Sequence, residues 1–347
     1  MSIIIELLLT IYNVGDGAQA KLILRGDIIM MNGKERVTNV ILNKKADRMP
    51  IYGWINNAEF QPKITQKYGT PEAFFDKYEF DMYHLFPAAG PVASPSYASE
   101  FFEAELPAVE FTNPDDMPYR DIKPAMDLHS SAKGRFVYAQ TPGCFEFFNG
   151  VWGIENHLSY LLLHTEQIQE MYERLADWTV GYVNNLADIG VDMVHVSDDW
   201  GAQTGMLFSD ELFNRLVLPY HKKVAEAVKK RGVFLSLHSD GNVMTALDSI
   251  CDIGYDVVHP YQESAGMSYD AYLKKYRGSF VIHGGLDVQT TIGFGDYGRL
   301  ESEIRRVFGL FKDGGLLFCT THMIQPHCSV EEAEFAFDLI YNLARGQ

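Results

Sequence analysis

His238-Ser239-Asp240 puts an imidazole and a carboxylate two residues apart. Alternate side chains of an extended chain share one face, so both project to the same side. Two imidazoles and one carboxylate are a ligand set for zinc or another first-row divalent ion. His322 is the candidate second imidazole, far along the chain. Cys319, three residues before it, is a candidate thiolate ligand and equally a buried core thiol. Asp198-Asp199 is a second carboxylate pair. Consecutive residues of an extended chain point opposite ways, so one of the two faces a site, orienting substrate or taking a proton. The other reading of this pair is a helix anchor or a salt bridge. His195, His259 with Gln262, and His283 with Asp287 are polar groups of the same kind in the same half of the chain. A lone histidine of this sort is usually structural. Several converging on one end of a fold point to a site.

The elements that must position these groups are short strands. Val233 to Leu237 is an apolar run that ends in the His238 cluster, and Gly241 turns the chain. Helical sequence precedes it at 212–230 and follows it at 243–250. A strand between two helices belongs to a parallel sheet. Runs at 51–54, 80–86, 135–141, 193–197, 257–261, 280–283 and 316–320 have the same character, mostly separated by helical stretches. Eight such units predict a (β/α)8 TIM barrel, with a doubly wound open sheet as the alternative. The polar groups then sit at the C-terminal strand ends, where barrel active sites lie. Residues 87–134 hold seven prolines and many aromatics, and read as an inserted excursion over the barrel mouth, partly hairpin. Glu146 and Glu155 flank an aromatic stretch (Phe145, Phe147, Phe148, Trp152) and are candidates to line the pocket.

The 347 residues carry a net charge of −17. Acidity without a basic run argues against nucleic acid and anionic membranes as partners. Cys144, Cys251, Cys319 and Cys328 form no CxxC pair, which favours a reducing, cytoplasmic setting. No stretch has the ~20 apolar residues of a membrane span. GxGxxG and GxxxxGK[ST] are absent, so a nucleotide site has no support. Residues 1–31 differ in character from the single domain expected over 32–347. Leu24-Arg25-Gly26-Asp27 suits purine-rich codons just ahead of Met30-Met31, so the natural start is expected there, with a native N-terminal hairpin or helix as the alternative.

Several ordered marks carry a resemblance. They are Asn32-Gly33-Lys34-Glu35-Arg36-Val37 leading to Asp47-Arg48-Met49-Pro50, then Asp198-Asp199-Trp200-Gly201 and Leu218-Pro219-Tyr220. His238-Ser239-Asp240-Gly241-Asn242, Gly284-Gly285-Leu286-Asp287 and Gly314-Gly315 through Thr321-His322 with Ile324-Gln325-Pro326 complete the set. Together they resemble the uroporphyrinogen decarboxylase superfamily, which implies a (β/α)8 barrel. Within it, true decarboxylases use no metal and hold a polyanionic tetrapyrrole through arginines near the first strand. This chain has no arginine between Arg48 and Asn56. The other branch, of cobalamin-dependent methyltransferases, includes enzymes that methylate coenzyme M with a zinc held by His-x-Cys and a distant Cys. At those places stand His238-x-Asp240 and His322. Nitrogen and oxygen ligands leave zinc a stronger Lewis acid than thiolates do, which suits polarising a leaving group. The resemblance thus implies a zinc-dependent O-demethylase-type methyltransferase acting on a small methoxylated or methylated substrate, an aromatic one included. His238, Asp240, Cys319 and His322 are then the metal residues and Asp198 and Asp199 the catalytic ones. Trp54, Glu155, Trp200, His259 and His283 are the expected substrate contacts. The corrinoid-binding pattern DxHxxG is missing, since Asp127-Leu128-His129-Ser130-Ser131-Ala132 lacks the glycine. A separate corrinoid protein is therefore the implied partner, and a homodimer is compatible with the apolar helix faces. The rivals are a metal-free decarboxylase, a non-catalytic corrinoid-binding barrel and a metal-dependent hydrolase.

Overall fold

A computed structural model describes residues 30–86, 90–92, 106 and 109–346. The expected N-terminal extension, apart from its last two residues, lies outside the described residues, as does most of 87–108. Among the described residues, seven strands form one parallel sheet: β1 (Met82–Leu85), β2 (Phe136–Pro142), β3 (Met193–Ser197), β6 (Phe234–His238), β7 (Val257–His259), β8 (Val281–Leu286) and β9 (Leu316–Thr320). A two-residue antiparallel ribbon, β4 (Gly201–Ala202) with β5 (Gly205–Met206), stands apart after β3.

The eighth stave is the chain around Ile51, which bridges in parallel to Phe318 of β9. Phe318 N donates to Pro50 O at 3.0 Å, and Tyr52 N to Phe318 O at 2.9 Å. On the other side Asp81 N, just before β1, donates to Ile51 O at 2.9 Å. The sheet therefore closes on itself as a barrel. The ladder at this stave is short because Trp54 N turns to a side chain, Thr320 Oγ1 at 3.0 Å.

The N-terminal end of the barrel is locked by charge. Asp81 accepts from Arg48 Nη1 at 2.7 Å, from the Arg36 guanidinium and from Ile51 N at 2.8 Å, all buried. Side chains then alternate along each strand. Val137, Val194, Leu235 and Ile282 face the helices, while Tyr138, His195, Ser236, His259, His283 and Cys319 fill the lumen, all essentially buried. Helix starts follow the capping residues: Thr70 Oγ1 accepts from Ala73 N at 3.2 Å, and Ser209 Oγ from Leu212 N at 3.3 Å.

The described part of the inserted excursion departs from expectation. Val92 and Phe111 form an antiparallel bridge, consistent with a partial hairpin. Residues 109–126, however, pack on the barrel's flank rather than over its mouth. Trp178 Nε1 on the long helix Thr165–Ile189 donates to Thr112 Oγ1 at 3.1 Å, and Asn185 Nδ2 to Tyr119 Oη at 3.1 Å. Met126 joins Leu85, Trp178 and Tyr182 in a separate small core, so apolar burial holds this segment against the flank.

Candidate active site

The register of β3, β6 and β7 sets the site. Ser197 lies opposite His238, and His238 opposite His259. Inward positions on β3 run through His195 and Ser197, so the next inward residue is Asp199. On β6 they run through Ser236 and His238 to Asp240. Asp240 N donates to Asp199 Oδ1 at 2.7 Å, tying the two strand ends together. Gly241 then makes a turn at φ +78° against β4. A Cβ there would lie 2.5 Å from Gly201 O. Gly241→Ala is therefore expected to cost at least ~2 kcal/mol and to displace Asp240, read by denaturant unfolding together with metal affinity.

His238, Asp240 and His322 each offer a donor atom, and the three lie within 4.8 Å of one another. His238 Nε2 is 3.8 Å from Asp240 Oδ1 and 3.7 Å from Asp199 Oδ1. These distances are too long for hydrogen bonds and close to the ~3.4 Å between two ligands of a tetrahedral zinc. Asp240 Oδ1 is shielded from solvent and, among the described residues, has no hydrogen-bond partner. An orphaned carboxylate oxygen between imidazoles fits a cation. Burial lowers the His322 pKa, which keeps the ring neutral and able to ligate. Burial, with Asp240 nearby, raises that of Asp199 against the opposing pull of His238.

Glu146 belongs to this cluster. It sits in the first turn of the helix Cys144–Trp152, and Ser197 Oγ donates to its Oε2 at 2.8 Å. The helix comes this close because Gly143 precedes it; a Cβ at Gly143 would lie 2.0 Å from Asp198 Cβ. Burial, and then the charge of Asp199, push the Glu146 carboxyl up to about 7. A carboxyl whose folded pKa exceeds its unfolded value binds its proton more tightly in the fold. Its stabilising contribution is complete below the unfolded value and lost as pH rises through the folded one. Glu146→Gln, which cannot ionise, is thus expected to gain melting temperature relative to the metal-free wild type between about pH 5 and about pH 8. Parallel melts across that range check this, and a constant difference counts against it.

The remaining sequence-predicted residues divide. Asp198 is not in the site. It faces outward, fully buried, and accepts from Trp200 Nε1, His221 Nε2 and Glu146 N. Trp200 goes with it, packed on Phe213 and His221 outside the lumen. Glu155 is exposed on the next helix, Ile154–Leu163, so it offers no pocket contact. Cys319 faces the lumen below the mouth; its nearest polar partner is Thr320 Oγ1 at 3.9 Å, and burial raises its pKa, so the structure does not bring it to His322. His283 is buried in the lumen beside His259, with both ring nitrogens unpartnered among the described residues. Trp54 forms the floor, stacked on His259 at 4.5 Å and on His238 at 5.8 Å. Sequence reasoning missed His84, a lumen residue stacked on Tyr138, and His221, the partner of Asp198. Strand alternation signalled the first; nothing local signalled the second.

The family model described as uroporphyrinogen decarboxylase (URO-D) matches residues 145–343. The chain is 25% identical over 187 residues to a uroporphyrinogen decarboxylase of Syntrophotalea carbinolica, covering 52% of this chain and 50% of that protein. It is 20% identical over 187 residues to another of Ruthia magnifica, covering 51% and 50%. The chain thus spans about half the length of the curated relatives it matches. Among solved structures, a methyltransferase from Methanosarcina mazei superposes with a TM-score of 0.69 at 13% identity, covering 90% of this chain and 99% of that one, a likeness of fold.

Proposed function

Taking as premise that the chain belongs to the uroporphyrinogen decarboxylase family, we propose that it is a zinc-dependent methyltransferase moving a methyl group from a small methylated substrate to a separate corrinoid protein. The observation that carries this reading is the orphaned Asp240 Oδ1 beside His238 and His322. Three protein ligands are the usual complement of a catalytic zinc with an open position. When bound, the zinc supplies Lewis acidity to a substrate oxygen or nitrogen. Asp199 orients the substrate from the adjacent strand end. Glu146, protonated up to about pH 7, is placed to hand its proton to the departing heteroatom while the methyl group leaves as the electrophile. Trp54, with Phe86 against its edge, gives apolar surface beside the imidazoles. The corrinoid protein docks over the mouth of the barrel.

The matched relatives favour a second reading, metal-free decarboxylation of a porphyrinogen. Against it, the guanidinium of Arg48 is committed to Asp81 at the opposite end of the barrel from His238. Among the described residues the ion-pair partner of both Asp199 and Asp240 is His238, not a lysine or arginine. A polyanion finds little to hold it there. The test is metal content by plasma mass spectrometry, followed by incubation of the zinc-loaded protein with methoxyaromatics and a reduced corrinoid protein. Near-stoichiometric zinc and zinc-dependent methylcobalamin formation are expected. Absence of metal after zinc is supplied, or carbon dioxide release from porphyrinogen without it, overturns the reading.

No helix of the described residues is long and apolar enough to cross a membrane.

A further inference from the structure

We propose that His259 is a positioning residue for the metal site: it takes a hydrogen bond from His238 Nδ1 and so holds His238 in the tautomer whose Nε2 lone pair faces Asp240, Asp199 and His322. This inference rests on the metal reading above.

The tautomers follow from one fixed end. His259 Nε2 lies 3.4 Å from the carbonyl oxygen of Thr320. A carbonyl only accepts, so Nε2 carries the hydrogen. His259 is fully buried with no carboxylate among its partners, so the ring is neutral and has one hydrogen only. Its Nδ1 is then a bare acceptor. His238 Nδ1 is 2.7 Å away and must be the donor. A neutral His238 therefore keeps its lone pair on Nε2, which points toward two carboxylate oxygens at 3.7 and 3.8 Å. Acceptor facing acceptors is unfavourable until a cation lies between them. The relay is held in place by Trp54, whose ring lies 15° from parallel to that of His259 and whose backbone N donates to Thr320 Oγ1. Metal-bound histidines commonly donate their second N–H to a carboxylate or carbonyl. Here another imidazole, itself oriented by a carbonyl, does that work.

A second arrangement competes. His195, His238 and His259 also bring donor atoms within 4.8 Å of one another, as a buried three-imidazole metal site requires. The 2.7 Å between His238 and His259 is shorter than the ~3.4 Å between ligands of a tetrahedral zinc, and it is an ordinary hydrogen-bond length. His195 Nδ1 meets Ser236 Oγ at 2.8 Å and, among the described residues, its Nε2 is unpartnered, so the His238–His259 separation is what discriminates. Distance therefore decides for a hydrogen bond and against an inner ion.

The test uses the full-length protein and zinc ions alone, titrated against a chromophoric chelator. His259→Leu removes the acceptor; His259→Asn keeps an oxygen where Nδ1 stood. His259→Leu is expected to weaken zinc binding by about 10- to 100-fold, and His259→Asn to recover most of that loss. Nitrogen-15 NMR of the zinc-free wild type is expected to show His238 with its hydrogen on Nδ1. Wild-type zinc affinity in a folded His259→Leu, equal losses in both variants, or an Nε2–H tautomer at His238 would each overturn the proposal. So would a second zinc equivalent that disappears in His195→Ala. Should the wild type bind no zinc, the metal reading fails, and the NMR tautomer still decides the relay by itself.

Discussion

His238→Ala is expected to fold and to bind no zinc. His238 is the residue on which both halves of the site converge: its Nε2 faces Asp240 and Asp199, and its Nδ1 meets His259. Removing it leaves Asp240 and His322, a carboxylate and one imidazole, which is short of the three-ligand set of a catalytic zinc. The loss in affinity should exceed the ~10²-fold that an outer partner contributes. The fold loses less. His238 ends its strand at the mouth, away from the helix–sheet layers, and its removal orphans one acceptor, His259 Nδ1, at a cost of ~1–3 kcal/mol. Metal analysis and a thermal melt on the same preparation separate the two effects. A variant that keeps full zinc would remove His238 from the ligand set, and one that fails to fold would show it to be structural instead.

The adjacent carboxylates Asp198 and Asp199 are expected to fail in opposite ways. Asp198 is fully buried and accepts from Trp200 Nε1 and His221 Nε2, each at 2.8 Å, and from Glu146 N at 2.7 Å. Asp198→Ala leaves two buried donors, Trp200 Nε1 and His221 Nε2, and the half-buried Glu146 N without this acceptor. Each buried donor left unpaired costs ~1–3 kcal/mol, and together they are a large part of the ~5–15 kcal/mol that holds a typical domain together. Asp198→Ala should therefore unfold or melt far below the wild type. Asp199 is 34% exposed at the mouth, and its one strong contact is as acceptor for Asp240 N. Asp199→Asn keeps that oxygen, so its melt should stay within ~1 kcal/mol of wild type, while turnover falls by ~10²–10⁴. Denaturant unfolding and turnover of the two variants, measured side by side, decide the matter. Equal stability losses would show that the inward and outward assignments are wrong.

The strands were legible because most are short, largely apolar runs set between helical sequences, as at Met193 to Ser197. The stave at Ile51 was legible by the same pattern, although it pairs over only a few backbone bonds. The side assignment within Asp198-Asp199 was not. Alternation says that one faces inward; which one depends on the register of β3 against β6, a long-range property. Which lumen histidine reaches the site was equally hidden. His259 and His283 both point inward and are neighbours in register, yet His259 reaches His238 while His283 lies against Tyr52 and Tyr138. Glu146 and Glu155 looked alike beside the same aromatics. One follows directly on β2 and faces the mouth, and the other is on the next helix, in solvent. Trp200 read as pocket lining because aromatic residues suit both pocket and core, and it serves the core.

The closure between Pro50–Tyr52 and Phe318 sets an order of events during biosynthesis. These partners are separated by most of the chain, so the first stave waits at the ribosome until the last has emerged. Meanwhile the edges at Ile51 and β8 present unpaired backbone groups, the sites where a nascent chain is most open to mispairing and to chaperone capture. The same last strand leads into His322. Ring closure and completion of the ligand set are thus one step, and a polypeptide halted before β9 carries His238 and Asp240 with no third ligand to join them.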